Sequence, residues 1–254
     1  MRDPSAGPDG RGHLSPEQRR WLLIGNSRWH WATQAGAELE LWHDTPAQGP
    51  LTLAAGPPPL AWAAVGRLGA DLPLAPAARL TTADVPLVGL PAWLGVDRAL
   101  AGWLAWSQRR DPVLVADAGT VLSLTRVDRG GAFAGGRLIA GLALQLRAMA
   151  AGTAALPDPP APGTAGGRLG EELWPAQTQA AMLSGVARGL AAAVAEAWRE
   201  VHREEASTRL VISGGDAAVL LPLCRACLGP EQAEALESQS DLALRALVAL
   251  RPGL

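Results

Sequence analysis

The alternation of apolar and polar positions divides the chain into two similar stretches. Trp21-Leu22-Leu23-Ile24 is a continuous apolar run. The small polar turn Gly25-Asn26-Ser27 follows, and then a stretch in which Trp29 and Trp31 share one face. This reads as strand, turn, strand. Leu51 to Leu53 and Trp62 to Val65 are weaker candidates for a strand or a short helix. From Asp97 to Gln108 the apolar residues Leu100, Trp103 and Leu104 fall at helical spacing. Arg109-Arg110-Asp111-Pro112 breaks the pattern.

The opening theme then returns. Val113-Leu114-Val115 runs into Asp117, the turn Ala118-Gly119-Thr120 follows, and a second strand-like run occupies 121 to 127. A turn at Asp128 to Gly131 leads into a glycine-rich stretch (Gly135, Gly136, Gly141) and a helix from about 142 to 151. Residues 157 to 175, rich in proline and glycine, predict a mobile loop. A long helix is expected over roughly 177 to 205, with Leu183, Val186, Leu190, Val194, Ala197 and Val201 on one face. Gly185 and Gly189 inside it predict a close packing contact. Leu210-Val211-Ile212 is a short buried strand ending in Ser213-Gly214-Gly215-Asp216, and a helical region closes the chain.

The expected organisation is therefore a tail over 1–20 and two α/β halves, 21–110 and 111–254, each burying one sheet face against helices. A chain of 254 residues has room for a sizeable core. The first twenty residues, rich in Pro, Gly and Arg, read as disordered and lack the apolar segment of a signal peptide. No apolar run approaches the ~20 residues of a membrane span, so a soluble, cytoplasmic protein is expected. The net charge of −2 argues against a surface made to bind nucleic acid or acidic lipid. The chain has no Lys and no Tyr, which excludes a P-loop lysine, a Schiff-base lysine and a tyrosine acid. Cys224 and Cys227 read as two small apolar residues on one helical face, with no further Cys or nearby His to complete a zinc site.

Candidate chemistry sits in the turns. A tight turn with Gly followed by Ser or Thr offers backbone N–H groups and a hydroxyl to phosphate oxygens. Gly214-Gly215 allows a ligand to approach the backbone closely. Asp117, at the mouth of a buried strand, is suited to hold a cation among phosphates. In Leu94-Gly95-Val96-Asp97-Arg98 the carboxylate has two readings: an N-cap of the following helix, or a general base for a substrate hydroxyl with Arg98 pairing a substrate carboxylate.

The ordered set Gly25-Asn26-Ser27, Gly95-Val96-Asp97-Arg98, Asp117-Ala118-Gly119-Thr120, Gly135-Gly136 through Gly141-Leu142, Thr153 to Pro157, Thr178 with Ser184-Gly185, and Ser213 to Ala217 resembles the type III pantothenate kinases. The resemblance runs from about residue 21 to 220. It implies two ribonuclease-H-like halves of the sugar kinase, actin and Hsp70 superfamily, with the nucleotide cleft between them. It implies ATP-dependent phosphorylation of pantothenate to 4′-phosphopantothenate, the first step toward coenzyme A, by a homodimer that uses Mg²⁺ and a monovalent cation, K⁺ or NH₄⁺. Carried over by position, Asp97 is the catalytic base. Gly95, Val96, Arg98 and Thr178 contact pantothenate, and Asp117 is the metal ligand. Leu23, Ile24, Gly25, Asn26, Ser27, Arg28, Trp29, His30 and Thr120 contact ATP.

Three positions depart from the family pattern. Leu23 stands where the first phosphate loop usually has Asp, Ala140 stands for a Pro, and the aromatic hydroxyl usual before the Gly-x-Asp-Arg motif is missing. Leu23 also opens an alternative: a non-catalytic relative of the same fold acting as a binding or transcription accessory protein.

Overall fold

The computed structural model describes residues 19–65, 68, 72–159 and 169–252. The expected tail up to residue 18 and the centre of the expected loop, 160 to 168, lie outside the described residues.

The elements in chain order are β1 (Arg19–Ile24), β2 (Trp29–Ala35), β3 (Glu38–Asp44), α1 (Gly49–Ala54), β4 (Ala61–Ala64), α2 (Val96–Ser107), β5 (Val113–Ala118), β6 (Val121–Val127) and β7 (Phe133–Ala140). They continue with α3 (Leu142–Gly152), α4 (Thr178–Glu204), β8 (Arg209–Ser213), α5 (Ala217–Leu228), α6 (Pro230–Ala233), β9 (Leu236–Ser238) and α7 (Leu242–Leu250). They form two compact units. One takes the chain up to Pro86, then Pro91–Leu100 and the chain from Ala243 on; the other takes Leu87–Leu90 and Ala101–Leu242. The sequence reading divided the chain at 110; these units divide inside α2, and the last helix returns to the first unit.

Each unit carries one sheet, and the two sheets share a plan. The first has the order β3-β2-β1-β4 and the second β7-β6-β5-β8-β9. In both, an antiparallel meander of three strands is extended on its far side by a strand parallel to the first. The strand–turn–strand theme of the sequence is the start of each meander.

In the first unit Leu22, Ile24, Trp29, Trp31 and Trp62 cluster with Leu53 of α1 on one sheet face. Gly49 passes under Trp29 so closely that a Cβ there would lie 2.2 Å from the ring. Arg20 is fully buried in this unit, with its guanidinium over the Trp31 ring at 4.5 Å. Burial pushes its pKa down to about 10, and the charge of Asp44 opposes the shift. Trp21 donates from its indole to the Arg251 carbonyl at 2.8 Å and so ties β1 to the end of the chain.

In the second unit Leu114, Ala116 and Ala118 of β5 pack with Leu183, Val186, Leu190, Val194 and Trp198 of α4. Each large side chain buried there contributes about 1.5–3 kcal/mol. The α4 helix, with 27 residues, is long and apolar enough to cross a membrane by length and composition, but its apolar face is core. Its two glycines do not make the close contact expected of them. Gly185 and Gly189 are exposed, and among the described residues a Cβ at either meets nothing within 4 Å. Arg209, nearly buried, makes a two-pronged pair with Glu237 at 3.1 Å and donates to the Ala105 carbonyl at 3.0 Å, joining β8, β9 and α2. Cys224 is buried and Cys227 exposed.

Candidate active site

In the first unit β1 ends at Ile24 and the chain turns at once. The Gly25 amide donates to the Arg28 carbonyl at 2.9 Å, so β2 begins at Trp29. Asn26, Ser27 and Arg28 are exposed at this turn, while Gly25 and His30 are half-buried. Leu23, Ile24 and Trp29 are core residues, with Leu23 5% exposed. Strand register sets out a row across the sheet: His43 opposes His30, His30 opposes Leu23, and Ala63 lies beside Leu23. Directly opposed residues share a face. The two imidazoles meet edge to face, with centroids 4.7 Å apart. The Nε2 of His30 lies 3.5 Å from where a Cβ on Gly25 would stand, so the ring tip faces the turn.

The other part of this unit's site is the start of α2. Leu94 closes a turn by donating its amide to the Pro91 carbonyl at 3.0 Å, and the Thr82 hydroxyl donates to the Leu94 carbonyl at 2.7 Å. The helix then begins at Val96. Asp97 is therefore not the N-cap but a residue of the first turn. Its Oδ1 accepts the Arg98 amide at 2.8 Å. A Cβ on Gly95 would stand 2.5 Å from that oxygen, so Gly95 makes room for the carboxylate. Burial raises the pKa of Asp97 above the usual carboxylate value; the Arg98 amide, the Arg98 charge, its own amide and the His30 charge hold it back. Arg98 is buried, and burial lowers its pKa against the pull of Asp97.

In the second unit Asp117 is the next-to-last residue of β5. Its row differs from that of Leu23. Ser123 opposes it on β6 and Ser213 lies beside it on β8, both buried. Gly214 follows β8 with φ +94°. A Cβ there would stand 2.4 Å from the Ala118 carbonyl oxygen and 2.6 Å from Asp117 Oδ1. The Asp216 amide donates to Ala118 O at 2.9 Å, and the Gly141 amide to Thr120 O at 2.9 Å. A Cβ on Gly141 would be 2.0 Å from Gly119 O, so only glycine lets these two turns approach. Thr120 is half-buried at this turn; Thr178, exposed, opens α4 on an element of its own.

The two units differ in what they offer a cation. Asp117 with the hydroxyls of Ser123 and Ser213 in its row is an oxygen donor set that fits a hard cation such as Mg²⁺ or K⁺. Leu23, with Ala63 and His30 on either side, brings no oxygen to its row. Ser123 and Ser213 were not singled out in the sequence reading. The available signal was a hydroxyl between apolar residues in one strand, Val-Leu-Ser-Leu, and one closing another, Val-Ile-Ser.

Comparison with known proteins adds the family. The family model described as type III pantothenate kinase matches residues 81–200. A type III pantothenate kinase of Thermosynechococcus vestitus is 37% identical over 225 residues, covering 86% of each chain. One from a Synechococcus species is 36% identical over 248 residues, covering 94% of this chain and 95% of its own. Among solved structures, a putative Baf family transcriptional activator from Campylobacter jejuni has a TM-score of 0.52 at 14% identity, covering 91% of this chain and 95% of that one. The ethanolamine utilization protein EutJ from Carboxydothermus hydrogenoformans has a TM-score of 0.50 at 13% identity, covering 94% and 92%. These likenesses agree with the duplicated sheet plan in giving the fold, two α/β units built on related sheets. The chain belongs to the type III pantothenate kinase family.

Proposed function

We propose that this chain transfers the γ-phosphoryl group of ATP to the terminal hydroxyl of pantothenate, giving 4′-phosphopantothenate and ADP at the entry to coenzyme A synthesis. Asp97 carries the reading. A carboxylate with a raised pKa, next to a buried Arg, is poised to take the hydroxyl proton as the oxygen attacks phosphorus. The new P–O bond forms as the bond to the β-phosphate oxygen breaks, and charge is managed by positioning rather than by covalent chemistry. Gly95 and Val96 line the acceptor, Arg98 pairs its carboxylate, and Thr178 makes a further contact. The turn from Leu23 to His30 and Thr120 hold the nucleotide. Asp117 would hold the cation, Mg²⁺ or a monovalent ion, which neutralises phosphate charge when bound.

The reading goes with a cytoplasmic location and with a homodimer. The exposed small residues Ala181, Gly185 and Gly189 of α4 leave room for a second copy of that helix to come close. Leu23 favours the alternative of a non-catalytic binding protein, because it removes a carboxylate from the phosphate turn. Incubation with ATP, pantothenate and Mg²⁺, with and without K⁺, and product mass as the readout, decides between them. Formation of phosphopantothenate supports the kinase; a folded protein that makes none under any salt supports the binding protein.

A further inference from the structure

The row that contains Leu23 holds no carboxylate where the family resemblance implies one, and the same row contains a polar side chain one strand away. His30 is directly opposite Leu23, so the two side chains rise from the same face with Cβ atoms about 5 Å apart. An imidazole reaches further than the side chain it faces. Its Nε2 is already turned toward Gly25, the hinge of the phosphate turn, and its ring is steadied by the edge-to-face contact with His43. It also lies within electrostatic reach of the Asp97 carboxylate. A group with these neighbours stands close to the phosphate turn, and its charge reaches the base that activates the acceptor.

We propose that His30 is a catalytic residue of this chain, its Nε2–H donating a hydrogen bond to a non-bridging oxygen of the transferred phosphoryl group on the side where Leu23 holds no cation. This rests on the kinase reading above. A carboxylate at 23 would act on the phosphate through a bound metal ion; an imidazole acts on it directly, as the neutral Nε2–H form or as imidazolium. No proton is transferred by His30. The hydroxyl proton goes to Asp97, the acceptor oxygen bonds to phosphorus, and the bridging oxygen leaves with ADP.

The test uses the full chain with His30→Ala, His30→Gln and the pair His30→Ala with Leu23→Asp, each checked for folding by thermal melt. Two readouts are taken: kcat and KM, and calorimetric binding of ATP without metal. For His30→Ala, kcat falls about 100-fold with the KM for pantothenate unchanged, and metal-free ATP binds roughly tenfold more weakly. His30→Gln, which keeps an N–H donor, recovers part of both losses. Adding Leu23→Asp to His30→Ala restores turnover in the presence of Mg²⁺ but not metal-free binding. A folded His30→Ala variant with kcat within about twofold of the parent and unchanged metal-free ATP affinity overturns the proposal. If the parent chain phosphorylates no pantothenate, the kinase reading fails by itself, and the metal-free ATP affinity still decides His30.

Discussion

The two sheets answer the same structural problem with different side chains. Read across the strands in matching order, the first sheet presents His43, His30, Leu23 and Ala63, and the second presents Leu138, Ser123, Asp117 and Ser213. Both rows lie where a β-turn follows the first strand of the meander. In the second row one carboxylate is surrounded by hydroxyls. In the first the matching position is a core leucine, and the polar group stands one strand outward. The neighbours differ along with the central residue: a carboxylate has hydroxyls beside it, a leucine has a methyl group beside it. This is what packing requires, since a buried hydroxyl without a partner costs about 1–3 kcal/mol. The two rows thus offer different groups, oxygens around Asp117 in one and an imidazole opposite Leu23 in the other.

Four substitutions sharpen or break that comparison, in descending order of their effect on turnover. Asp97 belongs to neither row and sets the scale. Asp97→Asn lowers kcat/KM about 10³-fold in a steady-state assay. The same change raises stability at neutral pH. Because the folded pKa of Asp97 is raised, the unfolded chain releases its proton first as pH rises. Stability is therefore lost between the usual carboxylate value and the raised one. Removing the titration raises the Tm by about 2–4 °C per kcal/mol recovered, and the parent's acid limb of kcat/KM lies above the usual carboxylate value. A thermal melt that shows Asp97→Asn less stable than the parent at pH 7 contradicts this.

Asp117→Asn is the direct test of the second row. Turnover falls about 10²-fold and the response to K⁺ disappears in a salt titration. If the variant works as well as the parent, the rows are equivalent and the comparison fails. Gly214→Ala comes next. It forces a side chain into a φ of +94° and against Asp117 Oδ1, so the carboxylate shifts. A stability loss of about 1–3 kcal/mol in urea, with turnover down about tenfold, is expected. Leu23→Ala should change turnover least, within about threefold, because leucine supplies no ligand. It nonetheless costs about 2–4 kcal/mol of stability, because a core side chain is truncated. A large loss of activity without loss of stability would show that Leu23 does more than fill space.

Much of this was legible in the sequence. The apolar runs gave β1, β5 and β8, and the 3.6 period gave α2 and α4 nearly to the residue. Three strands were not legible. In β7 the pair Gly135-Gly136 reads as part of a glycine-rich stretch, yet the strand forms because it pairs along β6 through an irregular register. β3, with polar residues on one face, and the three-residue β9 gain their character only from the strands beside them. The site divides the same way. Asp97, Asp117 and the turns can be found by motif, because the chemistry sits in consecutive residues. His30 opposite Leu23, and Ser123 and Ser213 around Asp117, depend on register, which is a property of pairing rather than of spacing. The packing contact expected at Gly185 and Gly189 was a wrong inference from composition: a glycine in a helix marks a place where something can come close, not that something within the same unit does.

The indole of Trp21 bonded to the carbonyl of Arg251 has a consequence in time. The first sheet to leave the ribosome belongs to the compact unit that also needs the last helix, Leu242–Leu250. At ordinary synthesis rates the nascent β1–β4 layer waits on the order of 10–40 s for that helix, while the second unit can already close. Within this unit the part made first therefore matures only when that helix arrives, and a message that stalls in between would leave its tryptophan-rich strands for chaperones to shield.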